Sequence, residues 1–434
     1  MKFKETQLTR KPHGHTIHYT SVFSKDDNWI VYDTRNNDTM IVSTGSIEMV
    51  NVKTGEVKVL YNTENQTEYG PGVGAATFSP TQNEVLFIHG IRNANELQPY
   101  GVTRRTGVAI DINRPQKPIF MDARDITFPF TKGALRGGTH AHSWSGDGQW
   151  ISFTYNDYVM EKIAKVDSSI QDLRTVGIMV PGKVIVGDDG SLENNDGKMF
   201  SVVVSKVTEH PNPKRNEIDK AFDESWIGSN GYIKLNGKKQ EKAIAFQGNV
   251  RDIQGNAITE VFVLDLPKNI TKSQTDLPLE GTVNTRPNVP ESVIQRRVTY
   301  TKNGIEGPRH WLRSKADGSL IAFLAKDSLG IIQVFGVSPN GGAIQQLTHN
   351  EFSVQGPFNF SPDGNWIAYP ADNSIFINDL KTGKAERITK RFSDNEKPIG
   401  APVWSNDSNK IAYNRYVKDE SGDFLQIFLL DKAP

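Results

Sequence analysis

The sequence predicts an all-β protein: a single seven-bladed β-propeller over residues 1–434, closed by its N-terminal strand. Three observations lead there. A strand–turn–strand unit recurs along the chain, a second strand pair follows each copy, and the last copy ends one strand short while the N terminus offers a spare one. A chain of 434 residues could hold two or three ordinary domains, but repeats of this kind stack into one.

The unit is clearest at Phe358–Tyr369. Phe358 and Phe360 alternate onto one strand face. Pro362-Asp363-Gly364 makes the turn, because Pro presets φ and Gly accepts positive φ without steric cost. Trp366, Ile367 and Tyr369 then open the partner strand with residues suited to a half-buried pleated surface. Aligned on the position before the turn, copies begin at Phe23, Phe78, Trp144, Ser314, Phe360 and Trp404. In all six an aromatic follows nine residues later: Tyr32, Phe87, Phe153, Phe323, Tyr369 and Tyr413. A seventh, degraded copy falls near Trp226 and Ala243–Phe246.

The second strand pairs come next. Ile47–Gly55 matches Ile375–Gly383, with weaker counterparts at Val108–Asp111, Val261–Asp265 and Val334–Val337. Four antiparallel strands cannot bury both faces alone, so the units must pack around a common axis. Blades five and six finish on Gln346-Leu347-Thr348 and Arg387-Ile388-Thr389. The final copy stops at Ile427–Asp431, and Gln7-Leu8-Thr9 supplies the missing strand, so that residues 5–10 or so complete blade seven and leave no edge to fray. No long stretch carries helical periodicity. Residues 156–222 and 266–300 are longer than blade connections need. Gly187-Asp188-Asp189-Gly190 and Asn194-Asn195-Asp196-Gly197, in the first of these, read as solvated turns, since their spacing matches no calcium loop.

Composition narrows the function classes. Lys+Arg and Asp+Glu both total 50, so no net field draws the chain to nucleic acid. There are no cysteines, hence no disulfide framework and no thiolate site. No run of about 18 apolar residues occurs, which argues against membrane insertion. The opening residues lack an apolar segment, giving a cytoplasmic expectation, or a periplasmic one had a leader been removed. Neither a Gly-x-Ser-x-Gly elbow nor a phosphate-cradling glycine loop is present.

The candidate chemistry sits just before the repeat aromatics, at the end of each innermost strand. Four residues before that position, blades two, six and seven carry Gly74, Gly356 and Gly400, while blades three and five carry His140 and His310. Small residues leave a funnel open and the imidazoles project into it. His142, two residues from His140, belongs on the same strand face. His140, His142 and His310, with Gln355 or Glu224 as oxygen ligand, have the donor types of a Zn, Mn, Fe or Ni site. Channel histidines also serve as ordinary hydrogen-bonding plugs, and both roles stay open at this point. Arg136 and Arg309 flank the histidines, with planar forks suited to a carboxylate, sulfate or phosphate or, equally, to salt bridges between blades. His13, His15 and His18 precede the first hairpin, and Trp311 and Tyr155 are aromatics able to stack on a sugar or to pack.

The Phe-Ser-Pro-Asp-Gly … Ile-Ala-Tyr repeat resembles the TolB-type propeller repeat in six of seven units. Leu135–His142, Ser152–Asp157, Gln295–Thr299, Pro308–Trp311 and Gln346–Asn350 identify the chain as similar to the YidR-like family of single-propeller proteins. That resemblance implies the seven-bladed fold. More distantly the chain is similar to oligogalacturonate lyases, whose propeller holds a divalent metal through histidines and a glutamine, partly in a Gln-x-x-His-x-His run. His140-Ala141-His142 fits the end of that run, and Gly137 stands where the glutamine would be. The lyase resemblance implies a divalent metal such as Mn or Zn on His140, His142, His310 and Gln355, and β-elimination on a small acidic saccharide. Arg309 or Arg136 would hold the uronate carboxylate and His18 would take the α-proton. The competing expectation is a scaffold without catalysis that offers its funnel or loops to a protein or peptide.

Overall fold

The computed structural model describes residues 2–187 and 189–433; Asp188 of the Gly187–Gly190 turn lies outside them. The fold is a seven-bladed β-propeller. Among the described residues six blades are four-stranded sheets, five of them laid down in chain order from the axis outward and the sixth, blade seven, completed at its outer edge by the N-terminal strand. Blade one is the exception: Trp29–Asp33, Ser46–Asn51 and Val57–Asn62 form three strands, and the innermost is reduced to the bridges Thr16–Asp33 and Phe23–Ile30.

Blade seven closes the ring. Pro398–Trp404, Lys410–Asp419 and Gly422–Lys432 are joined by Phe3–Gln7, paired antiparallel with Glu5 opposite Leu430, and the Leu8 amide continues the ladder to the Ile427 carbonyl at 2.8 Å. The degraded copy is blade four, where Ala221–Trp226 pairs with Ala243–Arg251 and a small Tyr232–Ile233/Lys239–Gln240 hairpin fills the gap between them.

The core is divided among the blade interfaces. The seven aromatics that follow the turns, Tyr32, Phe87, Phe153, Phe246, Phe323, Tyr369 and Tyr413, are all buried. Among the described residues seven of the eight apolar clusters are each drawn from two neighbouring blades, one of them joining blade seven to blade one through Ile427, Val403, Ile30 and Val50. The Ser-x-Asp of the repeat explains the turns further. Ser24, Ser145 and Ser405 donate to Asp26, Asp147 and Asp407 at 2.5–2.6 Å, while each serine oxygen accepts the amide of the residue that opens the next strand.

The two long segments carry outer strands as well as loops. The first holds the helix Tyr158–Ala164, capped by the Asp157 carboxylate on the Met160 amide, and then Thr175–Val184 and Gly197–Val203 of blade three. The second supplies Ile294–Arg297 of blade four. No helix among the described residues is long and apolar enough to cross a membrane.

Candidate functional site

A cavity of about 130 Å³ lies where side chains from blades one, two, three and five meet, a place only the axis can offer. His18 and Tyr19 reach it from blade one, Arg105 from blade two, His140 from blade three, and Arg309 and Trp311 from blade five. Arg35 and Asp38 complete the wall.

The charges there do not cancel. Arg35 is paired, at 2.7 Å from Asp33 and 3.3 Å from Asp38, and Asp38 also accepts the Tyr19 hydroxyl at 2.6 Å. Arg105 has no carboxylate partner among the described residues. It is 8 % exposed, its Nη1 donates to the Tyr100 hydroxyl at 3.2 Å, and its Nε makes no hydrogen bond. Arg309 stacks 4.6 Å above the Trp311 ring and holds one carboxylate, Asp223, at 3.2 Å. Its side chain stays 57 % exposed.

The imidazoles are neutral. Burial, then the charges of Arg35, Arg313 and Arg309, depress His18 to about 3. Burial, then Arg105, Arg174 and Arg309, hold His140 well below the usual histidine range. The His18 ring stacks on Tyr19 at 5.4 Å and meets the edge of Trp311 at 5.8 Å. The cavity therefore combines one buried guanidinium without a counter-charge, Arg105, and one paired but half-exposed, Arg309, with two neutral proton acceptors, which is the chemistry of an anion site.

Four of the residues singled out in the sequence, His18, Arg309, His140 and Trp311, share this cavity. The others do not join them, each for a local reason. His142 was expected on the face of His140, but Ala141 between them takes a left-handed φ of 56° and the ladder to the next strand slips there. Such a bulge re-aims the following side chain. The His142 Nε2 points instead to the Thr139 hydroxyl at 2.9 Å, and Thr139 donates to the buried Asp122 at 3.0 Å. His310 has both nitrogens engaged: Nδ1 donates to the Pro308 carbonyl at 2.9 Å and Nε2 accepts the Leu324 amide at 3.1 Å. Gln355 is exposed on blade six, where its Oε1 accepts the Asn373 amide at 2.8 Å. Glu224 is buried off the cavity wall, accepts from the Thr154 hydroxyl at 2.7 Å, and is pushed up to about 7 by burial.

Arg136 is an anchor rather than a ligand group. It lies 2.9 Å from Asp157 and donates to the carbonyls of Thr282 and Thr285, pinning the 266–300 segment to blade three. Gly137 cannot carry the lyase glutamine, because a Cβ there would stand 2.1 Å from the Asn156 carbonyl oxygen. Among the described residues no group of three or more His, Asp and Glu side chains is placed to hold a metal ion. The remaining imidazoles, His140 and His142, both have Arg105 as the leading charge beside them, which disfavours a cation. These residues do not fit the metal that the lyase resemblance implies.

Sequence reasoning missed Arg105 and Tyr19. Tyr19 lies four residues before Phe23, so the rule that found His140 and His310 also finds it when applied to blade one. Arg105 gives no such signal, because it opens the third strand of blade two, opposite Gly90. A larger recess, about 620 Å³, lies off the axis beside Phe262, and there Arg297 already has Glu260 at 3.0 Å.

Comparison with known proteins places this geometry in context. A family described as "Protein of unknown function (DUF3748)" matches residues 72–191. The uncharacterized protein YidR of Escherichia coli (strain K12) is 36 % identical over 415 residues, covering 94 % of each chain. Among solved structures, an oligogalacturonate lyase in complex with manganese superposes with a TM-score of 0.52 at 10 % identity, over 99 % of this chain and 93 % of that one. An oligogalacturonate lyase from Vibrio parahaemolyticus gives 0.50 at 9 % identity, over 99 % and 97 %. At such identities these structures speak to the fold alone.

Proposed function

The chain belongs to the YidR-like family, and since that membership fixes an architecture and no chemistry, we propose from the geometry that it binds the carboxylate of an acidic saccharide in the axial cavity and removes the neighbouring proton in a β-elimination. The observation that carries this reading is Arg105, a buried guanidinium facing the cavity without a carboxylate partner. A buried charge left unpaired costs several kcal/mol, and an anionic ligand offsets that cost.

The chain's own residues divide the work. Arg105 and Arg309 pair with the carboxylate and withdraw charge from it, which makes the adjacent C–H more acidic. His18 is neutral and free to accept the α-proton; the C–H electron pair becomes the double bond to the β-carbon, the glycosidic C–O bond at that carbon breaks, and the departing sugar oxygen takes a proton from water. At about 3 its proton affinity is low in the empty cavity, but Arg309 and Arg35 are among the causes, and a bound carboxylate counters both. The ligand thus raises the basicity of the group that attacks it. The positive charge comes from guanidiniums, and no step is assigned to a metal.

The test is titration calorimetry with galacturonate, followed by ultraviolet assay of the digalacturonate disaccharide for the conjugated unsaturated product. Binding to the wild type that weakens at least tenfold in Arg105→Gln, with turnover lost in His18→Ala, is expected. No binding by the wild type would sink the proposal, and binding without turnover would reduce it to a saccharide receptor.

A further inference from the structure

We infer that a second anion subsite lies across Arg309 from the axial cavity, at Arg174 and Lys220, so that the ligand carries at least two negative groups; this rests on the reading of the cavity given above. The two recesses share Arg309 as a common wall. The second is larger, about 530 Å³ against about 130 Å³. The axial cavity, the smaller of the two, takes the carboxylate end of the ligand. The remainder of an acidic saccharide then lies outside it, and the wider recess is the adjoining space.

Its charges repeat the pattern of Arg105. The Arg174 Nε donates to the Asn156 amide oxygen at 3.0 Å, and no carboxylate lies within ion-pairing distance among the described residues. The Lys220 ammonium rests 4.6 Å over the Phe222 ring and has no ion-pair partner among them either. Two carboxylates line the recess. Asp223 is engaged by Arg309 at 3.2 Å, and Glu306 by Lys326 at 3.0 Å. Three cations, Arg174, Lys220 and Arg309, thus face one another over a hollow of about 530 Å³. Burial, then neighbouring cations, lower both Arg174 and Lys220 from their ordinary values, although Asp223, with Asp172 or Asp219, partly offsets the shift. Asp223 and Glu306 already have partners of their own, so Arg174 and Lys220 lack a direct counter-ion, and a second acidic group on the ligand supplies one.

The experiment is calorimetric titration of the full chain with galacturonate, which has one carboxylate, and with digalacturonate, which has two. Wild type, Arg174→Gln, Lys220→Gln and Arg105→Gln are compared, each checked for unchanged thermal unfolding. The wild type should bind the disaccharide at least tenfold more tightly than the monosaccharide. Arg174→Gln and Lys220→Gln should each lose most of that preference while keeping monosaccharide affinity within about twofold, and Arg105→Gln should weaken both sugars. Should the preference persist in Arg174→Gln and Lys220→Gln while Arg105→Gln weakens both, the second subsite is overturned and the first stands. Should the wild type bind neither sugar, both fall.

Discussion

The two ends of the central channel are built from different kinds of residue. At one end a recess of about 310 Å³ is lined by Trp144, Trp226 and Phe360 with Ser225, Ser314 and Ser361, which are repeat positions contributed by successive blades. At the other end stand His18, Tyr19, Arg105, His140 and Arg309, and no two blades offer the same side chain in the same way. Arg313 divides them, half-buried and bonded to the Asn359 amide oxygen at 2.7 Å and the Tyr19 carbonyl at 3.2 Å. The lesson is physical. Packing a sheet against its neighbour is one problem solved seven times, so its solution repeats, whereas a ligand without sevenfold symmetry needs a site that breaks the repeat.

Two buried arginines near the charged end should respond in opposite senses. Arg136 is fully partnered, by Asp157 and two loop carbonyls. Arg136→Met leaves the Asp157 charge buried and releases the 266–300 segment, an expected loss of about 3–5 kcal/mol in urea unfolding. Arg105 has no carboxylate to strand, so Arg105→Met should leave stability unchanged or higher. Its cost should appear in affinity for galacturonate, at about 1.5–3 kcal/mol, the range for a hydrogen bond to a charged group. Equal destabilisation by both variants would mean that the two arginines do the same structural job, and the contrast drawn here would fail.

That pair also shows what a sequence can and cannot disclose. Arg136 and Arg309 look alike in the chain, each beside a histidine-bearing strand. What separates them is that the carbonyl partners of Arg136 arrive from 146 and 149 residues away, and no local pattern encodes such a meeting. The blades themselves were legible because their burial is periodic: an aromatic nine residues past the turn is a demand of the interface and recurs with it. The separation of His140 from His142 was hidden because alternation assumes a regular ladder, and the left-handed Ala141 interrupts it. Ala75 and Asp223 take the same conformation three residues before Phe78 and Trp226, so the interruption is itself a repeat, though one of backbone and not of residue type. Arg105 stayed hidden for the opposite reason, being a single departure with no second copy to compare.

A smaller effect is expected at the repeat end. Ser145→Ala removes the hydroxyl that donates to Asp147 at 2.6 Å and accepts the Trp150 amide at 3.0 Å. The expected loss is about 1 kcal/mol of stability, typical of a net intramolecular hydrogen bond. Galacturonate affinity should not change. A clear loss of binding in this variant would show that the serine-lined end takes part in recognition, and the division between packing residues and ligand residues would have to be redrawn.

The smallest expected effect is none at all, and it tests the charged end most directly. Galacturonate affinity should be flat between pH 8 and pH 6. His18 titrates near 3 in the empty cavity and His140 also lies well below the ordinary value, so neither gains a proton in that interval unless the ligand raises it by several units. An ordinary exposed histidine would instead charge around 6.5 and strengthen anion binding as the pH falls. Arg105 and Arg309 keep their charge throughout, and the sugar carboxylate stays ionised. A rise in affinity centred on 6.5 would mean that His18 or His140 is solvated and not packed among guanidiniums. A step nearer 7 would point to Glu224, whose burial raises it to about 7, and would move the controlling group from the cavity wall to the interior of blade four.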